Sequence, residues 1–423
     1  MSTPAAALEP IPTFTIDLAR PPRERYNEVI NAFGARMRSL TGLWEDILSS
    51  FIPSPFVRSL VTRISRVSLR RVYDNEENEE VQGIAARAGV PLFLIAALNN
   101  LLDCMLGCTS GAALVRDSRR GTEQKPVRLM HFRTLDWGMD GLRDLLVVLE
   151  FVDSSLDYPT HVLARSITYA GFLTFMSGCG PGLSVSLNHR ARHDCRTRTL
   201  KWHQIMVLLG RRRSVGSIIR SFMLPSRAGR RNTKIRLPKG MLSQAKALAK
   251  IPSAPCYLIL CDGDEAAVIV KDCTSGTVEV SRDFIAQTNH DPDETAEVDQ
   301  SREGMDLEIS SEQRQEVIAS SFGADGWIEE SSERLDCIRG KWDRHAQKSQ
   351  KSARQLKRQQ GGSGEEMVDN VDGAQKDGVS ITEPTLRRWI SSYPTLNECS
   401  HFATILDPWT GGIRWLERGP APE

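Results

Sequence analysis

The residues best equipped for chemistry are Cys108, Thr109, Ser110 and Gly111, which follow an apolar, helix-like run, with Arg133 and Asp136 one short hairpin downstream. If the Gly107–Cys108 bond were cut, Cys108 would carry a thiol and a free α-amine, nucleophile and base on one residue. A guanidinium beside the thiol would stabilise the reactive thiolate, and a carboxylate could hold the α-ammonium or pass on its proton. Asn289, in Gln287-Thr288-Asn289-His290, has a side-chain amide suited to an oxyanion. Together these residue types point to amide hydrolysis. Each also has a plainer reading: a packing cysteine, a surface Arg–Asp pair, a turn asparagine and, at Arg334, a solvated helix arginine. The tetrapeptide recurs from Cys273 to Gly276, so the short motif alone is weak. His189, His193 and His203 lack a carboxylate at metal spacing and read as surface histidines.

The stretch that must deliver Cys108 is helical in pattern. Apolar residues recur every three or four positions over 25–39, 43–52 and 56–70. Asp74 stands where an N-cap belongs before a helix over 76–88, Gly89 closes that helix, and Pro91 opens the next, over 91–105. After Cys108 the period becomes strand-like, and 111–115, 128–132, 145–152, 162–169, 172–176 and 183–188 read as short antiparallel strands. Helices are expected over 202–209, 215–223 and 241–250, then strands over 256–261, 266–270, 277–280, 401–406 and 412–416. Strands, helices and strands again imply sheets covered by helices. Two segments look inserted. One is the basic loop 227–239; the other is 344–378, rich in Lys, Gln and Gly and expected to be disordered. The acidic stretch 291–308 reads as a solvated loop.

With 40% hydrophobic residues, 25% charged residues and a formal net charge of +1, the chain has material for a core and no global signature of nucleic-acid binding. No run approaches the roughly 18 apolar residues of a membrane span. The first residues show no basic start followed by an apolar stretch, and no Asn-x-Ser/Thr sequon occurs, so an intracellular protein is expected. The nine cysteines have no Cys-x-x-Cys spacing. A zinc site or other cofactor is therefore not expected, and most thiols read as reduced and buried.

The residues also carry a family likeness. Residues 80–111 run from Glu-Val-Gln-Gly through Val-Pro-Leu to Cys-Thr-Ser-Gly, and 131–138 read His-Phe-Arg-Thr-Leu-Asp-Trp-Gly. Segment 169–190 passes through Gly171, Thr174, Pro181 and Asn188-His189-Arg190, and 254–260, Thr288-Asn289 and 400–415 follow. In this order the chain resembles the acid ceramidase and N-acylethanolamine acid amidase family of N-terminal nucleophile hydrolases. The resemblance implies an α+β fold, an αββα sandwich of mainly antiparallel sheets preceded by a helical segment. It implies self-cleavage between Gly107 and Cys108 into segment 1–107 and hydrolase domain 108–423, held together as an α/β heterodimer. The substrate would be a lipid amide, ceramide first and an N-acylethanolamine as the alternative. The family's nucleophile maps onto Cys108, its neighbouring arginine and aspartate onto Arg133 and Asp136, its oxyanion amide onto Asn289 and a second arginine onto Arg334. His131 and Thr134 replace the family's glycine and asparagine. The animal enzymes are lysosomal, glycosylated and disulfide-linked, so a lysosomal or vacuolar location is the family-based alternative to an intracellular one. Membrane-surface contact would fall to Phe51, Ile52 and Phe56. A non-catalytic lipid-binding homologue is the reading from a different class.

Overall fold

In the computed structural model, the residues described are 9–38, 40–101, 107–116, 127–137, 139–190, 193–224, 235–291, 324–360 and 379–420. A strand, β1 (Thr13–Asp17), precedes five helices: α1 (Asn27–Met37), α2 (Leu40–Phe51), α3 (Pro55–Ser68), α4 (Asn75–Ala88) and α5 (Leu92–Leu101). The Asp74 carboxylate accepts from the Glu76 and Glu77 amides, and Gly89, at φ 69°, ends α4 in the left-handed conformation. Six strands follow: β2 (Gly107–Arg116), β3 (Val127–Asp136), β4 (Leu146–Val152), β5 (Ala164–Tyr169), β6 (Ser177–Gly180) and β7 (Leu183–His189). Helices α6 (Thr197–Leu208), α7 (Val215–Met223) and α8 (Met241–Ala249) lead to β8 (Cys256–Cys261), β9 (Ala266–Lys271), β10 (Gly276–Ser281) and β11 (Phe284–Gln287). The chain closes with α9 (Ala324–Gln360), β12 (Ile381–Thr382), α10 (Glu383–Ile390), β13 (Ser400–Asp407) and β14 (Gly412–Arg418).

These strands form two sheets. One has eight strands in the order β1-β4-β5-β6-β7-β8-β9-β10; the other runs β11-β2-β3-β13-β14, with β12 beside β2. Among the described residues, β1 on β4 and β12 on β2 pair in parallel and the other pairings are antiparallel. The sheets face one another where β2 packs on β7 and β3 on β8. Helices α7 and α8 lie on the larger sheet, α9 and α10 on the smaller, giving an αββα sandwich. Within the smaller sheet the strands flanking β2 leave no room for a side chain at Gly111, where a Cβ would meet the Ile285 carbonyl of β11 at 2.1 Å and the Phe132 ring of β3 at 2.7 Å.

The structure departs from the sequence-based expectation in three places. Segment 172–176 is not a strand. Phe172, Leu173, Phe175 and Met176 are all buried, so there is no alternation to support one. Gly171, at φ 94°, turns the chain, and Asn99 Oδ1 takes the Leu173 amide at 2.9 Å, leaving the strand to begin at Ser177. The insertion expected to be disordered over 344–378 is helical as far as Gln360, because its Lys, Gln, Arg and Ala are good helix formers until the glycine pair at 361–362. Residues 361–378 lie outside the described residues, as do 102–105, 227–234 and 292–308. His203, expected at the surface, is buried, with Nδ1 3.2 Å from Arg212.

The helices before Cys108 are tied to the later chain by buried charge. Glu80 is fully buried. It accepts from Arg25 Nη1 at 2.7 Å and from Arg220 Nη1 and Nη2 at 2.6 and 2.9 Å. One turn earlier, Ser217 donates to Glu77 Oε2 at 2.8 Å. Burial pushes the Glu77 carboxyl up to about 7, against the pull of Arg220. An unfolded glutamate titrates near 4.3, so the folded state holds this proton more tightly. The stability it contributes is therefore present in acid and lost as pH rises from about 4.5 through 7. Glu77→Gln is expected to remove that slope from thermal melts across this window. Parallel Tm–pH curves for variant and wild type would contradict the assignment.

Candidate active site

Cys108 sits at the second residue of β2, directly opposite Leu135 of β3, while Ser110 lies opposite Arg133 and Gly107 opposite Asp136. Side chains alternate along a strand, so Cys108, Ser110, Arg133 and Leu135 share the face turned toward the larger sheet. Ser110 Oγ donates to Asn188 Oδ1 of β7 at 2.8 Å, and the Cys108 thiol lies 3.8 Å from the Leu187 carbonyl. Arg133, fully buried, donates from Nη2 to Cys108 Sγ at 2.9 Å and to the Leu187 carbonyl at 2.7 Å, and from Nη1 to the Met176 carbonyl. Burial pushes the Cys108 thiol above its ordinary value; the Arg133 charge pulls it back and Asp136 adds to the rise.

Asp136 points to the opposite face. Ser400 Oγ donates to its Oδ1 at 2.5 Å, and Arg334 Nη1, from α9, stands 3.6 Å from Oδ2. Among the described residues Oδ2 is a buried oxygen with no hydrogen-bond partner. Burial raises the Asp136 carboxyl, against the opposing charge of Arg334 and the Ser400 hydrogen bond. Arg334 Nη2 also donates to Asn289 Oδ1 at 3.1 Å, and that oxygen accepts the Cys108 amide at 2.8 Å. All five residues expected from the sequence therefore meet in one buried cluster.

Asn289 differs from expectation in orientation. Cys108 N–H and Arg334 both offer protons, so its oxygen must face them, while Nδ2 donates to the His189 carbonyl at 2.8 Å. Its oxygen grips the nitrogen of Cys108, and one of its two amide protons goes to His189.

Other residues of the site left no trace in the sequence pattern. Ser400 holds Asp136, and Ser331 of α9 accepts the Asn289 amide at 2.8 Å. Tyr169 and His401 form a second buried pair beside them. The His401 Nε2 bonds the Trp137 carbonyl at 2.9 Å, so it carries the proton, and Nδ1 accepts the Tyr169 hydroxyl at 2.7 Å. Burial keeps His401 neutral, its pKa lowered to about 3, and burial, with the nearby Cys108 adding to it, raises the Tyr169 hydroxyl well above its ordinary value.

Comparison with known proteins shows what the chain is similar to. Residues 9–73 match the family model described as the beta subunit of N-acylethanolamine-hydrolyzing acid amidase. Acid ceramidase of Bos taurus is 28% identical over 308 residues, spanning 67% of this chain and 70% of its own. Acid ceramidase of Homo sapiens is 24% identical over 307 residues, spanning 66% and 70%. Among solved structures, a Caenorhabditis elegans N-acylethanolamine-hydrolyzing acid amidase ortholog superposes with a TM-score of 0.40 at 17% identity, over 71% of this chain and 93% of that one. On the sequence matches, this chain is similar to the acid ceramidases over two thirds of its length and to the beta subunit of N-acylethanolamine-hydrolyzing acid amidase over residues 9–73.

Proposed function

We propose that the protein is a self-activating cysteine amidase that hydrolyses the amide of a lipid such as ceramide. The observation that carries this reading is the double grip on Cys108: Arg133 on its sulfur at 2.9 Å and Asn289 on its nitrogen at 2.8 Å, in a site closed to water. In the first reaction Sγ attacks the Gly107 carbonyl carbon. The sulfur–carbon bond forms, neutral Asp136 gives a proton to the Cys108 nitrogen as the carbon–nitrogen bond breaks, and the thiol proton replaces it on Asp136. Water hydrolyses the resulting thioester, leaving a Gly107 carboxylate and a Cys108 with both thiol and α-amine.

The same groups then act on the substrate. The sulfur attacks the lipid amide, the α-amine protonates the leaving nitrogen, and water releases the fatty acid from the acyl-enzyme. Asn289 Oδ1 holds the Cys108 nitrogen throughout, while Nδ2, which gives one of its two protons to the His189 carbonyl, has a second for an oxyanion. Intact masses of the purified protein across a pH series test the first step. Two fragments meeting between Gly107 and Cys108 are expected, and an uncut chain at every pH would overturn it. Ceramide leads as substrate because the curated relatives are named acid ceramidase, while the matched family model names N-acylethanolamines. Turnover of ceramide against palmitoylethanolamide by the processed protein separates the two.

A lipid substrate must come from a surface, and α3 and α6 both pack against α5, the helix leading toward Cys108. Phe56 is 79% exposed on α3, and Leu60, Ile64 and Val67 continue the same stripe at helical spacing. Trp202 and Ile205 are exposed on α6, and Arg63, Arg66 and Arg70 are exposed along α3 and its end. Ile52 is half-buried, and the side chain of Phe51 lies outside the described residues. An apolar stripe with exposed arginines on the same segment fits an anionic bilayer surface. The double variant Phe56→Asp, Ile64→Asp is expected to lower co-sedimentation with phosphatidylserine vesicles by about tenfold or more. Hydrolysis of a short-chain soluble amide should be unchanged; unaltered vesicle binding would refute the assignment.

A further inference from the structure

We propose that Cys195 and Cys273 form a redox modification site, closing to a reversible disulfide in the presence of a small-molecule disulfide such as oxidised glutathione. Cys195 lies between β7 and α6, and Cys273 in the turn between β9 and β10. The Cys273 amide donates to Cys195 Sγ at 3.0 Å across 78 residues of sequence. Bond lengths then limit the separation of the two α-carbons to about 7 Å, within reach of disulfide geometry by side-chain rotation and a small backbone adjustment. Cys195 is half-buried and Cys273 is buried, so an oxidant meets Cys195 first.

The surroundings set the rate. The Cys195 thiol faces Asp272 Oδ1 at 3.7 Å, and its own amide donates to His193 Nδ1 at 3.3 Å. Arg190, at the end of β7, pairs with Asp272 at 2.7 Å, and the Lys271 amine, donating to the Ala249 carbonyl at 2.8 Å, lies near Cys195, Cys256 and Cys273. Burial, Cys273 and Asp272 push the Cys195 thiol up to about 12, so thiolate is scarce at neutral pH. Oxidation should therefore accelerate about tenfold per pH unit below that value.

The exchange balances. The Cys195 thiolate attacks one sulfur of oxidised glutathione and expels glutathione thiolate, and Cys273 sulfur then attacks the mixed disulfide and expels the second. The protein gives up two electrons and two protons, and one oxidised glutathione becomes two reduced ones. The bridge would pin the start of α6, two residues after Cys195, to the eight-stranded sheet.

The full chain is incubated with graded ratios of reduced and oxidised glutathione at several pH values and analysed by intact mass and peptide mapping. The expected result is the loss of two hydrogen masses, a peptide linking residues 195 and 273, reversal by dithiothreitol, and a Tm raised by about 3 °C or more. Cys195→Ser and Cys273→Ser should each abolish all of these. A persistent whole-glutathione adduct on Cys195, or a bridge mapped to other cysteines, would overturn the proposal. So would an unmodified chain at the most oxidising ratio.

Discussion

Cys108→Ala is expected to leave a single chain of 423 residues at every pH and to lower lipid-amide hydrolysis by about three orders of magnitude or more. In the proposed mechanism sulfur attacks in both reactions, and alanine supplies no substitute. The fold should survive, because the change removes one small buried group from a core that spans both layers of the sandwich. That survival separates chemistry from folding: a variant with near-native Tm, no cut and no turnover supports the assignment. Cys108→Ser refines it. A hydroxyl beside Arg133 stays protonated where the thiol ionises, so slow cleavage and much weaker turnover are expected. Wild-type turnover by an uncut Cys108→Ala protein would end the nucleophile assignment.

Asp136→Asn should cost about two to four orders of magnitude in self-cleavage and, more tellingly, change its pH profile. Burial raises this carboxyl, and Arg334 and Ser400 only partly offset it. Its protonated form is the one that can give a proton to the Cys108 nitrogen. Wild-type cleavage should thus be fastest in acid and slow as pH rises through the raised value. Asparagine keeps the shape and the contact with Ser400 but has no acidic proton, so the remaining rate should lose that dependence. Rapid mixing from alkaline storage into buffers of graded pH, read by gel, gives the profile directly. A variant that is slower yet keeps the wild-type pH profile would show that Asp136 positions neighbours without moving a proton.

The sequence revealed the part of this site that is local. Cys108, Arg133 and Asp136 lie on two strands of one hairpin, so a short stretch of sequence sets their register. Asn289 and Arg334 emerged from the family likeness, since no spacing connects them to Cys108. Ser400 reaches Asp136 across 264 residues, and Ser331 and the Tyr169–His401 pair are likewise brought in only by the stacking of sheets and helices. Serines and a histidine are common enough that nothing marks them before packing does. β1 escaped notice because its five residues gain their meaning from parallel pairing with β4, and the second half of α9 because its polar composition suits a solvated helix as well as a loop. The Asn289 orientation was beyond any sequence argument, since it follows from which neighbours donate.

Glu80 would hold together a chain cut between Gly107 and Cys108. Its two arginine partners would then belong to different polypeptides, Arg25 to the piece it shares with Glu80 and Arg220 to the other. Pulling the pieces apart would break the two Arg220 hydrogen bonds to Glu80, leaving only Arg25 beside it. Cleavage would thus open the nucleophile without setting the first piece adrift. The mature molecule would behave as one body on dilution, a dimer by covalent count and a monomer in its kinetics.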